Sequence, residues 1–203
     1  MATAEVFAPI AAEERRHRTV VIGALLAATA AVMFFAGLIG IYVSIRQNNE
    51  FLVENGLGGS LWFPEGAVQI APGTMMLFTT WIGAATISWA VQAVQNDDRP
   101  HAYWALGLTI LMGAAVINQM AFAIGDFGLP VDRSTPALLL FILYGAYIAF
   151  LGSAIAFVFL VLIRVLAGQY DSRNSDGVQA AAIYWYATVI MYAVLWYVLT
   201  ITK

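Results

Sequence analysis

The sequence predicts an all-α integral membrane protein: a bundle of five transmembrane helices with its N-terminus inside and its C-terminus outside. Of its 203 residues, 62% are hydrophobic and only 10% are charged, and the mean hydropathy is +0.80. A soluble domain carries about 25% charged residues, because its surface faces water. The sequence also contains five apolar stretches without a charged residue or a histidine, and each is close to the roughly 20 residues that cross a hydrocarbon core.

These stretches define the predicted domain organisation. A cytoplasmic tail, residues 1–18, precedes a five-helix transmembrane domain, residues 19–203. The predicted spans are residues 19–45, 73–94, 102–124, 137–163 and 178–201. The first span is longer than the ~7–15 apolar residues of a signal peptide, so we expect it to remain in the protein.

The basic residues predict the orientation. With the N-terminus inside, the inner segments hold six basic residues and the outer segments hold three, as the positive-inside rule favours. The inner ones are Arg15, Arg16, Arg18, Arg99, Arg164 and Arg173, and the outer ones are Arg46, Arg133 and Lys203.

Two connections carry information about packing. Residues 46–72 form the longest, an outer loop rich in Gly and Pro that could dock on a partner. Residues 95–101 allow only a tight inner turn, which predicts that the second and third helices are antiparallel neighbours.

Small residues at four-residue spacing predict helix packing. Gly145, Ala149 and Ser153 share one face of the fourth span, and such a face lets two helix backbones approach closely in lipid. The alternative is that Gly and Ala are simply common in membrane helices.

Aromatic residues crowd the ends of the spans. Trp62 lies on the outer side, and Trp104, Tyr184 and Trp185 lie on the inner side. Amphipathic rings favour the headgroup level, so we expect these residues to contact lipid or a partner. A quinone or ligand site is the alternative.

Few residues suit chemistry in the membrane. The chain has no cysteine, and its two histidines, His17 and His101, lie outside the spans, which excludes a bis-histidine haem site across the bilayer. His101 beside Asp97 and Asp98 could bind a metal, but a solvated turn is the commoner arrangement. The net charge of −3 predicts no nucleic-acid partner. Asn118 and Gln119 are a polar pair inside the third span, suited to hydrogen bonds between helices or to a cavity lining.

Several segments resemble subunit III of haem–copper oxidases (cytochrome c oxidase subunit 3). The first span reads Met-Phe-Phe-Ala-Gly-Leu at 33–38, followed by Tyr42 and Arg46, and residues 177–185 resemble the family's G-V-E-A-A-x-x-Y-W. The other similar segments, in chain order, are Trp62-Phe63-Pro64, residues 108–113, and Arg164 with Gly168. The resemblance covers about residues 20–203 and agrees with the family's five-helix form, so the chain is identified as a divergent member.

The resemblance implies a cofactor-free accessory subunit of a respiratory oxidase in the cell inner (plasma) membrane. Haem and copper are expected in the partner subunits, and the implied partners are the catalytic subunit I, other respiratory subunits and phospholipids. The family would hold structural lipids in a cleft between its first two helices and the other three. Arg46 and Trp62 are implied lipid or partner contacts.

The chain departs from the family at its polar interior positions. The family's acidic residue before the M-F-F-A-G-L motif falls on Ala31, and its H-G-L-H histidines fall on Tyr147 and Phe150. Its Glu on the third of these helices falls near Phe122 or Ala123, and its W-H-F-x-D falls on residues 185–189. Roles in proton delivery or headgroup binding are therefore not carried over at these places.

Two alternatives stay open at the level of sequence. An accessory subunit of a nitric oxide reductase or another respiratory supercomplex would fit the same motifs. A small solute transporter or channel would need polar or broken helices near the midplane, and the spans offer little beyond Asn118 and Gln119.

Overall fold

Five long α-helices make up the computed structural model, which describes residues 4–58, 62, 70–126 and 134–201, with side chains except those of 4–18 and 126. The helices are α1 Ala4–Glu54, α2 Ile70–Gln95, α3 Arg99–Asp126, α4 Thr135–Leu166 and α5 Asp176–Thr200. All five contain a segment long and apolar enough to cross a membrane. The predicted all-α bundle of five membrane helices is confirmed, and its orientation stays a prediction.

The helices are longer than the apolar spans that predicted them. α1 has 51 residues, which at 1.5 Å per residue is about 75 Å, more than twice the hydrocarbon thickness. It starts within the residues predicted as a tail and ends within those predicted as the outer loop. Arg46 is therefore a helix residue. Loop residues 59–61 and 63–69 lie outside the described residues, so the docking role predicted for that loop stays a prediction.

α5 is the helix around which the bundle is arranged. It packs against α1, α2 and α4, while α3 packs against α2 and α4. The predicted contact between α2 and α3 is confirmed. The lipid cleft that the resemblance implied, between the first two helices and the other three, is wrong. α2 packs on α3 and α5, and α1 has no close backbone contact with α2 in the described residues. The turn after Gln95 is short enough to hold α2 beside α3.

The helix ends follow ordinary capping chemistry. The Ser134 hydroxyl accepts from the Ala137 N–H at 3.4 Å, and a proline lies in the first turn of α4, where its missing N–H costs nothing. α4 ends at Leu166, and Gly168 follows its C-cap Ala167 with a φ of +72°, which favours glycine. The α2–α3 turn contains Asp97 at φ +57°, a conformation that Asp tolerates better than most residues.

Candidate functional site

Arg46 and Trp62, predicted as lipid or partner contacts, both lie against Tyr42. Tyr42 is buried on α1, and the Trp62 indole Nε1 donates to its hydroxyl at 3.1 Å, with the two rings edge to face at 5.8 Å. The Arg46 guanidinium lies beside the same hydroxyl and donates to Glu50 Oε1 at 2.8 Å. The hydrogen bond and the ring contact with Tyr42 hold Trp62 onto α1. A lipid or partner contact of Arg46 and Trp62 stays a prediction.

Trp185, predicted as a surface residue, lies inside the bundle. Its side chain is 1% exposed and its ring faces Gly83 of α2 and Gly113 of α3. A Cβ added to either glycine would lie 2.8 Å from the indole. Trp185 therefore cannot contact lipid in this fold, and we correct that prediction. Two glycines leave a slot on α2 and α3 that only a flat, large ring fills, so α5 is fixed against both helices.

Tyr184, the neighbour of Trp185, joins α5 to α4. Its hydroxyl lies 2.9 Å from that of Ser153, and its ring packs against Phe150 and Phe157 with centroids at 4.8 and 6.1 Å. On the other side of α5, the Tyr186 hydroxyl lies 2.7 Å from that of Ser88 on α2. Hydroxyls that would otherwise meet lipid are thereby satisfied.

Aromatic side chains occupy the interior where the resembled family has histidines. Tyr147 is fully buried, with the Tyr192 ring 5.2 Å and the Phe35 ring 6.2 Å from its own. Tyr192 donates from its hydroxyl to the carbonyl of Gly73 at 3.1 Å. The Tyr147 hydroxyl is buried near Thr188 and has no hydrogen bond of ordinary geometry with a described residue. This interior joins α1, α4 and α5 by packing and carries no charge.

The stripe predicted for helix packing points out of the bundle. Gly145, Ala149 and Ser153 are all exposed, and nothing lies within 4 Å of a Cβ added to Gly145. Among the described residues, the stripe therefore packs against no other helix, apart from the bond of Ser153 to Tyr184. Packing of these three residues against a helix from elsewhere stays a prediction.

An aspartate joins the two connections that are predicted to lie inside. Asp97 Oδ1 accepts from the Ser172 backbone N–H at 2.7 Å, which links the α2–α3 turn to the α4–α5 loop. The hydrogen bonds from the Ser172 side chain and backbone hold the pKa of Asp97 below its usual range. The His101 side chain, 2.6 Å from Asp98, likewise lowers the pKa of that carboxyl.

The described residues give no support for a metal site at His101, Asp97 and Asp98. His101 and Asp98 are both substantially exposed, at 58% and 42%, as expected of a solvated turn. Nowhere among the described residues do three or more His, Cys, Asp or Glu side chains come together. Whether the whole chain lacks a cofactor stays a prediction.

Trp104 borders a lateral groove that the sequence did not predict. The groove has a volume of about 540 Å³ and is lined by Trp89, Trp104, Gly107, Leu108 and Leu111. Trp104 is 76% exposed, and the ring of Trp89 lies 5.7 Å from that of His101. The lining is almost entirely apolar, so the groove suits an acyl chain or an apolar side chain rather than a polar solute. The signal that sequence reasoning missed was the position of the two tryptophans, at similar depths on the antiparallel α2 and α3.

Asn118 and Gln119 do not line a common cavity. Asn118 is exposed on the outward side of α3, whereas Gln119 is half-buried and its Oε1 is buried without a hydrogen bond in the described residues. The two side chains therefore do not form a shared polar site inside the bundle, which the transporter alternative would need near the midplane.

Comparison with known proteins supports the resemblance. No family model matches the chain. Proteins named cytochrome c oxidase subunit 3 are similar along most of it: that of Corynebacterium diphtheriae is 28% identical over 177 residues, which are 84% of this chain and 82% of that protein. Those of Pelomedusa subrufa and Loxodonta africana are each 24% identical, over 86% and 93% of this chain. The similar region spans 66% of the length of the protein from Pelomedusa subrufa and 69% of the one from Loxodonta africana.

Proposed function

We propose that this chain is a cofactor-free accessory subunit of a respiratory haem–copper oxidase in the plasma membrane. The observation that carries the proposal is the similarity to proteins named cytochrome c oxidase subunit 3, which extends over 84–93% of the chain in three relatives. Five apolar helices and the collinear motifs support it. Haem and copper would be held by the catalytic subunit, where they reduce oxygen, and this chain would stabilise that subunit.

The outward face of α1 suits contact with the catalytic subunit. α1 buries one side against the bundle through Ala28, Phe35 and Tyr42. Roughly the opposite side presents four exposed small residues at seven-residue spacing: Gly23, Ala30, Gly37 and Ser44. A Cβ added to Gly23 or Gly37 would meet nothing within 4 Å. Small residues allow a second helix backbone to come close, and van der Waals packing then drives association in lipid.

The contacts between helices inside the bundle would make the chain a rigid support. Trp185 fixes α5 to α2 and α3, and Tyr184 fixes it to α4 through Ser153. Close packing of this kind makes the bundle resist deformation. A partner that packs on α1 would therefore meet a preorganised surface.

The groove beside Trp104 suits a lipid acyl chain. Its lining is apolar, it opens sideways from the bundle, and it lies near the inner ends of α2 and α3. This position would let the indole of Trp104 lie at the headgroup level while the chain fills the groove. We propose this groove as a lipid site, in place of the cleft that the resemblance implied.

The proposal is tested by isolating the tagged chain from its own membranes in mild detergent. We expect a haem-containing partner to co-purify, visible as haem absorbance and as larger polypeptides. Gly37→Leu should lower the recovered haem about tenfold, because a bulky side chain blocks close helix approach. Met33→Leu, also exposed on α1, is the control and should leave recovery unchanged. Isolation of the intact chain without any haem protein would overturn the proposal.

A further inference from the structure

The outward face of α3 carries an amide within the membrane. Asn118 is exposed and makes no hydrogen bond with any residue in the part of the chain that the structure describes. It lies in the apolar stretch 102–124, about 8 Å along the helix from the midpoint of that stretch. An Asn side chain is too short to reach the headgroups as Lys and Arg do. Its amide therefore needs a hydrogen-bonding partner from outside this fold.

The residues around Asn118 form a helix-packing seam. Trp104, Leu111, Asn118 and Gly125 follow one another at seven-residue spacing and all are exposed. Gly107, Ala114 and Ala121 fill the intervening positions of the same face with small side chains. A seven-residue repeat keeps one face of a helix turned toward a single partner helix over its whole length. We call these seven residues the α3 seam.

The groove lies at the inner end of the α3 seam. Trp104 borders it from one side, and Gly107 and Leu111 line it. A volume of about 540 Å³ accommodates a large aromatic side chain. The seam thus presents a projecting indole and, next to it, a recess of suitable size and polarity for another.

We propose that the α3 seam pairs with the α3 seam of a second copy of this chain. Two copies in one membrane have the same orientation, so their α3 helices run parallel and equivalent residues lie at the same depth. An amide both donates and accepts, so Asn118 satisfies its own counterpart across a two-fold axis. In the pair, Trp104 of each copy enters the groove of the other and displaces the acyl chain that fills it in a single copy. A different partner would have to supply a polar group at this one depth, whereas a second copy always does.

The single asparagine then has a specific role. In helix pairs, one polar residue in an apolar seam fixes register and the number of strands. Asn118 would thus select a parallel dimer. Both amides find a hydrogen-bonding partner only when the two α3 helices are in the same register. This inference depends on the α3 seam and is separate from the docking proposed for α1.

Cysteine cross-linking tests the dimer, because the natural chain has no cysteine. Leu111→Cys leaves Asn118 intact and places a thiol in the seam. Ile190→Cys is the matched control: it is exposed on α5, which has no close backbone contact with α3 in the described residues, and it lies 14 residues after the start of α5 at Asp176, as Leu111 lies 12 residues after the start of α3 at Arg99. Copper–phenanthroline oxidation in native membranes should give a product of about twice 22.0 kDa from Leu111→Cys and not from Ile190→Cys.

Second substitutions separate a specific pair from random collision. Asn118→Leu should lower the cross-linked fraction of Leu111→Cys about threefold, whereas Asn118→Gln should retain most of it. Ala114→Phe should lower it about tenfold by filling the seam. Equal cross-linking of Leu111→Cys and Ile190→Cys would overturn the proposal, and so would a cross-link to a different polypeptide. No effect of Asn118→Leu would overturn the role of the amide.

Discussion

Trp185 shows how a single residue organises three helices. Its ring fills the space left by Gly83 and Gly113, and Ile155 of α4 lies against Gly113 from the other direction. The indole Nε1 is buried without a hydrogen bond in the described residues. Its burial is therefore favoured by shape and apolar contact, since the N–H gains nothing from this position.

Adding side-chain volume at Gly113 should disturb this joint. Gly113→Val would force the added atoms against Ile155 and Trp185, so we expect the free energy of unfolding to fall by about 1–3 kcal/mol. Gly145→Val is the control, because nothing lies within 4 Å of a Cβ at that position. Denaturation of the purified chain by sodium dodecyl sulfate in mixed micelles measures both. Equal effects of the two substitutions would contradict the fit around Trp185.

Tyr42 and Trp62 offer a second test at this scale. Their hydrogen bond and ring contact fix Trp62 to α1. A double-mutant cycle of Tyr42→Phe and Trp62→Phe should give a coupling energy of about 1 kcal/mol, since one hydrogen bond is lost in either single variant. Unfolding free energies of the four proteins in micelles supply the cycle. Additive effects would show that the bond does not stabilise the fold.

At the scale of elements, the two inner connections act together. Asp97 has a left-handed backbone and uses its carboxylate to accept from Ser172 of the α4–α5 loop. The short α2–α3 turn therefore orders a loop from another part of the chain. This contact links the α2–α3 pair to the α4–α5 pair at the end of the bundle that is predicted to lie inside.

The contact between Asp97 and Ser172 is expected to depend on pH. The hydrogen bonds from Ser172 lower the pKa of Asp97 in the folded protein. The contact is thus favourable above the ordinary pKa of an aspartate, and its contribution is lost as the pH falls through the lowered value. We expect the amide hydrogen of Ser172 to exchange faster, relative to the intrinsic rate, as the pH falls through that range. Asp97→Asn should remove this pH dependence while its amide oxygen still accepts, and an unchanged dependence in that variant would contradict the assignment.

The elements also divide by their outward faces. α1 and α3 present small residues at seven-residue spacing, whereas α4 presents Gly145, Ala149 and Ser153 at four-residue spacing. Different spacings favour different crossing angles between packed helices. The three faces therefore suit different neighbours, and we propose the catalytic subunit for the first and a second copy for the second.

At the scale of the whole molecule, the orientation in the membrane stays a prediction with a direct test. Asn55→Cys lies just after α1, and Arg173→Cys lies in the α4–α5 loop, and both positions are exposed. With the N-terminus inside, a membrane-impermeant maleimide should label Asn55→Cys in intact cells. It should label Arg173→Cys only after permeabilisation. The reverse pattern would show that the basic residues do not set the orientation as counted.

Much of the fold was predictable because it depends on local properties. Span number follows from apolar length against bilayer thickness, and the α2–α3 contact follows from a seven-residue connection. The site was less predictable. Trp185 was placed at the surface because it adjoins Tyr184 and Tyr186 near a helix end, and nothing local shows that two distant glycines make room for it.

The sequence alone determined that this protein is five membrane helices with few groups for chemistry, and that it resembles an oxidase subunit. Only the tertiary structure decided which faces turn inward: Trp185 is buried, while Asn118 and the stripe of Gly145, Ala149 and Ser153 face outward. The physical reason is the solvent. In water an apolar helix face must be buried. Lipid is as apolar as the interior of the bundle, so hydrophobicity does not distinguish the faces that turn inward from those that turn outward, and close packing decides.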